Sequence, residues 1–181
     1  MASIVDLSPV FIDFEASALH DGFPIEVGWA YFDGKSVRSE GHLIRPGPDW
    51  DLQGNWDETA EALHRISREH LLANGEPVFM VANRMNEMLA GKEVFADSPF
   101  DGQWMDQLFE AAGADPSFTM RTMLAPALVD QLSLAMGLYD SEIQKITKTV
   151  HQLYPHTHRA ADDARQWAEL WHALKQSAGH I

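Results

Sequence analysis

Residues 10–19 read VFIDFEASAL, an apolar run with two acids, Asp13 and Glu15, set one residue apart. Val, Ile and Phe favour an extended chain, whose side chains alternate between two faces, so Asp13 and Glu15 point the same way. Val10, Ile12 and Phe14 on one side and Phe11 on the other make both faces apolar, the pattern of a covered strand. Two carboxylates on one side of a covered strand repel each other and lose hydration. Such an arrangement calls for a compensating cation; the alternative is an edge strand whose acidic face is solvated.

The rest of the chain limits what that cation site could serve. With 181 residues and 45% hydrophobic content, the chain can build one sizeable core, so residues 1–181 are expected to form a single domain. It has no apolar run of 18 residues, and MASIVDLSPV lacks a basic stretch followed by an apolar one. A cytoplasmic chain with no membrane contact is expected. The absence of cysteine excludes disulfides, cysteine-bound metal sites and a thiol nucleophile. Thirteen basic and twenty-seven acidic residues give a net charge of -14, which argues against tight nonspecific binding of duplex DNA. A short phosphate-bearing substrate remains compatible, because local Arg or Lys contacts and bound cations can serve one or two phosphates.

Three strands are expected over 9–14, 25–32 and 36–45, an antiparallel meander in which HDGFP breaks the first pair and DGK signals a hairpin. After the loop RPGPDWDLQGNWDE, the spacing of Ala62, Leu63, Ile66 and His70 predicts one helix from Glu58 to Ala73, stopped by NGEP. A second helix is expected over Pro77 to Leu89. KEVFADS then reads as a short buried strand. FDGQWMDQLFEAAG follows as a helix with Trp104, Met105, Leu108, Phe109 and Ala112 in one stripe. SFTMRTML reads as a further strand, APALVDQLSLAMG and DSEIQKITKTVHQLY as helices, and a last helix runs from about Arg159 to Lys175. The fold class implied is α/β: a mixed sheet, meander plus parallel strands, flanked by helices.

Helical position sorts the remaining acids. Asp101 falls on the inward stripe with Trp104, Met105 and Leu108, whereas Asp106 falls outside it. Asp97 would cap that helix or end the strand before it. Asp163 aligns with Trp167, Leu170 and Leu174; the adjacent Asp162 aligns with Gln166, Glu169 and Ala173. His158 is too far round for Asp163's helical face, but a residue just outside the helix start can fold back over it. A histidine there titrates near neutrality, as a general base acting on water requires, although an ordinary surface histidine among His151 and His156 has the same local sequence. Zinc on His156 and His158 would lack a third ligand of recognisable spacing. Four carboxylates match hard cations such as Mg²⁺ or Mn²⁺.

DFEAS at 13–17, Asp101 in SPFD and HRAADD from His158 to Asp163 together resemble the three motifs of the DEDDh 3′-5′ exonucleases, a group that includes RNase T, proofreading exonucleases and oligoribonuclease-like enzymes. The resemblance spans about residues 9 to 174 and includes PIEVGWAYF as the second strand and ALHRISREHL after the long loop. It implies an RNase H-like fold. It also implies two divalent ions about 3.5–4 Å apart, held by Asp13, Glu15, Asp101 and Asp163, with His158 as the base that takes the proton of the attacking water. The substrate implied is single-stranded RNA or DNA, shortened from its 3′ end to nucleoside 5′-monophosphates. Very short oligonucleotides or dinucleotides form an alternative substrate class, and a noncatalytic nucleotide- or protein-binding module an alternative function. A homodimer is compatible with the resemblance.

Departures from the family pattern concern substrate contacts. Where many relatives have Thr-Thr-Gly-Leu after the first motif's glutamate, this chain has Ala16-Ser17-Ala18-Leu19, which keeps Leu19 as an apolar wedge for the terminal bases but drops the glycine turn. The second motif lacks the His-Asn found in some relatives. Phe14, Ser17, Leu19 and Phe100 are the candidate substrate-binding residues, and Trp50 and Trp56 are further candidates for base stacking.

Overall fold

The computed structural model describes residues 3–177. Its three meander strands are β1 (Val10–Ala16), β2 (Pro24–Phe32) and β3 (Val37–Arg45). β1 pairs antiparallel with β2, placing Asp13 opposite Gly28 and Glu15 opposite Glu26. The register slips between Glu15 and Ala16, where Pro24 begins β2 without an N–H to give to the ladder. Helices α1 (Glu58–His64) and α2 (Arg68–Asn74), strand β4 (Glu76–Pro77) and helix α3 (Val78–Leu89) follow. Next come β5 (Glu93–Ala96), α4 (Phe100–Ala112), β6 (Thr119–Met120), α5 (Ala125–Ala135), α6 (Asp140–Leu153) and α7 (Ala160–Ser177).

The sheet runs β4-β3-β2-β1-β5-β6, with β5 parallel to β1 and β6 parallel to β5. β1 therefore lies inside a mixed sheet, and its alternating side chains enter two different cores. Val10, Ile12 and Phe14 pack with Val81 and Met85 of α3 and Trp104 and Leu108 of α4. Phe11 packs on the other side with Leu128 and Leu132 of α5 and Ala164 and Trp171 of α7. Both faces are covered, so the edge-strand alternative for this segment does not apply. Among the described residues no helix is long and apolar enough to cross a membrane.

Two expected elements differ. The single helix over Glu58 to Ala73 is two helices, because Arg65 takes a left-handed conformation (φ 59°) and Ser67 caps α2 through the N–H of His70. The break turns both His64 and Ile66 into the interior, which one continuous helix would point to nearly opposite sides. Leu63, assigned to the inward stripe, is half exposed instead. The strand expected in SFTMRTML is only Thr119–Met120, since its partner β5 is four residues long and the last backbone link is Arg121 N–H to Val94 O, 2.9 Å.

Helix α7 crosses β2 and β3 at two glycines. A Cβ on Gly28 would overlap the backbone of Ala160 and Ala161, and one on Gly41 would come 2.8 Å from Ala161 Cβ. Gly28→Ala should therefore force α7 off the sheet and lower Tm by about 5 °C or more. Gly102→Ala, in open space within α4, should be neutral or stabilising by up to about 1 kcal/mol. Thermal unfolding of the two variants measures the contrast.

Candidate active site

The sheet delivers its acids to the C-terminal ends of two neighbouring parallel strands, the edge where crevices form in open α/β sheets. Asp13 and Glu15 come from the end of β1. Asp101 stands in the first turn of α4, entered directly from β5, and Asp163 in the first turn of α7. Asp13, Asp101 and Asp163 are buried and Glu15 is half-buried. Ligand oxygens of Asp13, Glu15 and Asp163 lie within 4.8 Å of one another, and so do those of Asp13, Asp97 and Asp101. Asp106 and Asp162 are exposed, as their helical positions require.

Burial is the first cause of an unusual electrostatic state. It raises the Glu15 carboxyl to about 8, with the charges of Asp163, Glu26 and Asp101 adding to the effect and Arg159 opposing it. Asp101 is likewise raised to about 8 by burial and then by Asp97, although the N–H groups of Ser98 and Phe14 favour its charged form. Asp13 is pushed well up by burial, then by Asp101 and Glu15. Burial also raises Asp163, against the N–H of Thr157 and the neighbouring His156. One Asp163 oxygen accepts that N–H at 2.8 Å; the other, Oδ2, is buried without a hydrogen-bond donor. Among the described residues the nearby Arg159 and His156 offset this repulsion only in part, and an oxygen-only donor set with an orphaned carboxylate oxygen fits a hard divalent ion.

His158 sits just before α7 with φ 55°, a left-handed conformation uncommon for a non-glycine residue. It borders the same cleft as Asp13, Glu15 and Asp101, a hollow of about 290 Å³ also lined by Leu19 and Phe100. His156 stands between Asp163 and His158. Its Nε2 is 3.2 Å from His158 Nδ1, and its Nδ1 is 3.2 Å from Asp163 Oδ2 without hydrogen-bond alignment. Asp163 thus supplies the third neighbour that the two histidines lack in sequence.

The expected substrate contacts divide. Leu19 is half exposed at the cleft and Phe100 is half-buried there. Phe14 borders the cleft but belongs to the core under α3 and α4. Ser17 is fully buried; its hydroxyl donates to Asn55 O (2.7 Å) and accepts from Phe23 N–H (3.0 Å), tying the long loop to β1. Trp50 stacks on Phe23, and Trp56 is buried with its N–H on Glu61.

Residues outside the expected set complete the site. Glu26 on β2 accepts from two nitrogens of one guanidinium group, Nε and Nη2 of Arg159, and its Oε2 also accepts the N–H of Ala160 at 3.0 Å. An acid inside the apolar strand PIEVGWAYF and an arginine directly before AADD were the available signals. Asp97 follows the end of β5 and does not cap α4, whose N-cap is Pro99; its Oδ2 instead accepts Trp167 Nε1–H at 3.1 Å from α7.

No protein-family profile and no curated protein matches this sequence. Solved structures do. The chain is similar to the zinc-bound form of the Escherichia coli exonuclease I–single-stranded DNA complex, with TM-score 0.67 and 16% identity over 94% of this chain and 41% of that one. It is similar to E. coli exonuclease I with a dA16 oligonucleotide, with TM-score 0.67, 15% identity and the same coverage. A third structure of exonuclease I gives TM-score 0.66 and 17% identity over 94% and 41%. The chain thus spans about two fifths of those proteins and shares their RNase H-like fold.

The raised carboxyls carry a stability consequence. Asp101 has an ordinary value of 3.8 and a folded value of about 8, so the stability it contributes is fully present below the first and is lost as pH rises through the second. In metal-free protein, Asp101→Asn should raise Tm by a few degrees near pH 9, with the gain vanishing near pH 4. A variant less stable than wild type at the higher pH would contradict this.

Proposed function

We propose that the protein is a metal-dependent 3′-5′ exonuclease that shortens single-stranded RNA or DNA and releases nucleoside 5′-monophosphates. The observation that carries this reading is the convergence of Asp13, Glu15, Asp101, Asp163 and His158 on one cleft. Exonuclease I, which has this fold, is crystallised with single-stranded DNA.

Asp13, Glu15 and Asp163 would hold one divalent ion, and Asp13 with Asp101 a second, Mg²⁺ or Mn²⁺ being suited to oxygen donors. When bound, such ions lower the pKa of coordinated water and neutralise charge developing on the phosphate. Asp97, within reach of Asp13 and Asp101, increases the negative charge available to the second ion. His158 accepts the proton of the attacking water. With the Nδ1 proton directed at His156, its Nε2 is left as the acceptor. Leu19 and Phe100 form the apolar wall against which a terminal base packs. The net charge of -14 favours short strands over long ones, so very short oligonucleotides are a second reading of the substrate.

The test follows end-labelled single-stranded 20-mers and dinucleotides of RNA and DNA, with Mg²⁺ or Mn²⁺. We expect mononucleotides released stepwise from the 3′ end, activity lost in EDTA, and kcat reduced about 10²- to 10⁴-fold by His158→Ala. Asp13→Ala should reduce it at least as much. Cleavage of a circular substrate would refute exonuclease action, and tight nucleotide binding without turnover would support the noncatalytic module.

A further inference from the structure

We propose that His156, His158 and Asp163 form a separate site for a zinc-like transition-metal ion, and that an ion held there switches the cleft off; the second half rests on the exonuclease reading. The segment just before α7 brings the three side chains together. The two histidines flank Thr157, whose N–H donates to Asp163 Oδ1 at 2.8 Å. His158 takes a left-handed conformation (φ 55°), and the two imidazoles meet edge to face with centroids 4.3 Å apart. His156 Nε2 is 3.2 Å from His158 Nδ1, and His156 Nδ1 is 3.2 Å from Asp163 Oδ2. One ligand atom from each side chain lies within 4.8 Å of the other two. Tetrahedral zinc, with bonds of about 2.0–2.1 Å, sets its ligand atoms roughly 3.3 Å apart. A small rotation of the exposed His156 ring therefore turns one nitrogen onto an ion shared with both neighbours.

The orphaned carboxylate oxygen is what points to a cation. Asp163 is 1% exposed and its Oδ2 has no hydrogen-bond donor, a state that a bound positive charge completes. Two imidazole nitrogens beside that oxygen suit zinc, nickel or copper, whereas Mg²⁺ and Mn²⁺ prefer the all-carboxylate group of Asp13, Glu15 and Asp101. Three protein ligands leave a fourth position for water. Occupancy has two consequences for the cleft. Asp163 also belongs to the group with Asp13 and Glu15, so the two ions compete for one side chain. An ion on His158 Nδ1, the nitrogen that faces His156, moves the ring's single proton to Nε2. No ring nitrogen is then left to accept a proton from the attacking water.

The experiment titrates Zn²⁺ into metal-free protein by calorimetry, for wild type, Asp13→Asn and the double variant Asp13→Asn/His156→Ala. The first substitution disables the carboxylate group, and the second removes a ligand of the proposed site alone. We expect Asp13→Asn to keep one tightly bound Zn²⁺ and the added His156→Ala to weaken it about 100-fold. Zn²⁺ lost in Asp13→Asn, or unaffected by His156→Ala, would assign the ion to the carboxylates and overturn the proposal. Wild-type protein gives a check that needs no variant: the ring nitrogen resonances of His156 and His158 should both shift on addition of Zn²⁺, and two unmoved rings would refute the site. For the switch, Zn²⁺ is added to the Mg²⁺-supported release of mononucleotides, each protein being compared with its own zinc-free rate. Wild type should slow about 10-fold or more, and His156→Ala should need about 100-fold more Zn²⁺ for the same slowing. Zn²⁺ bound at the histidines without loss of rate would overturn the switch. Protein that releases no mononucleotide with Mg²⁺ or Mn²⁺ would refute the exonuclease reading and the switch with it, while the calorimetry decides the site on its own.

Discussion

The carboxylate of Glu26 is the fixed point on which the site depends. It lies directly across the β1–β2 ladder from Glu15, and it binds both the guanidinium of Arg159 and the N–H of Ala160. The latter is one of the donors that a helix start leaves without an internal partner. One buried acid thus closes the start of α7 and holds it against β2, at the place where Gly28 leaves room for the helix backbone. Asp163 is three residues after Ala160, so the clamp also decides where the last carboxylate lies. Losing Arg159 would leave the buried charge of Glu26 uncompensated, whereas Arg159 itself is half exposed.

Around that clamp the molecule concentrates repulsion. Glu15, Asp13, Asp101 and Asp163 all have carboxyl groups raised by burial, and each lies near another acid. Arg159 brings a fixed positive charge close to Glu15, and its Nε and Nη2 are both committed to Glu26. Two packed cores, one on each side of β1, supply the rigidity that keeps the acids together. Held this way, they would, on the proposed reading, form a preorganised cradle for cations, a site locally unfavourable until its ligand is bound.

Periodicity made the acids legible. The two-residue repeat of β1 places Asp13 and Glu15 together, and helical spacing separates Asp101 from Asp106 and Asp163 from Asp162. What sequence periodicity cannot carry is a pairing between distant segments. Glu26 and Arg159 are 133 residues apart, and nothing in either local pattern names the other. The α1–α2 break escaped for a related reason: Ala62, Leu63, Ile66 and His70 suit one helix, and only the demand to bury His64 and Ile66 together forces Arg65 into a left-handed turn. Ser17 reads as a substrate contact in a motif, whereas the fold spends both functions of its hydroxyl on the loop at Asn55 and on Phe23. β6 is short because β5 is short, a limit set by the partner and not by its own residues.

The central claim is that the gathered carboxylates form a binding site for two divalent ions. Titration of Mn²⁺ into metal-free protein, followed by electron paramagnetic resonance to count bound ions and detect spin coupling between them, addresses it directly. The account predicts two ions per chain at neutral pH, coupled as close neighbours, weakened toward acid pH as the carboxyls take up protons, and reduced to one or none in Asp13→Asn. Binding of no Mn²⁺, or of Mn²⁺ that Asp13→Asn leaves unchanged, would contradict it.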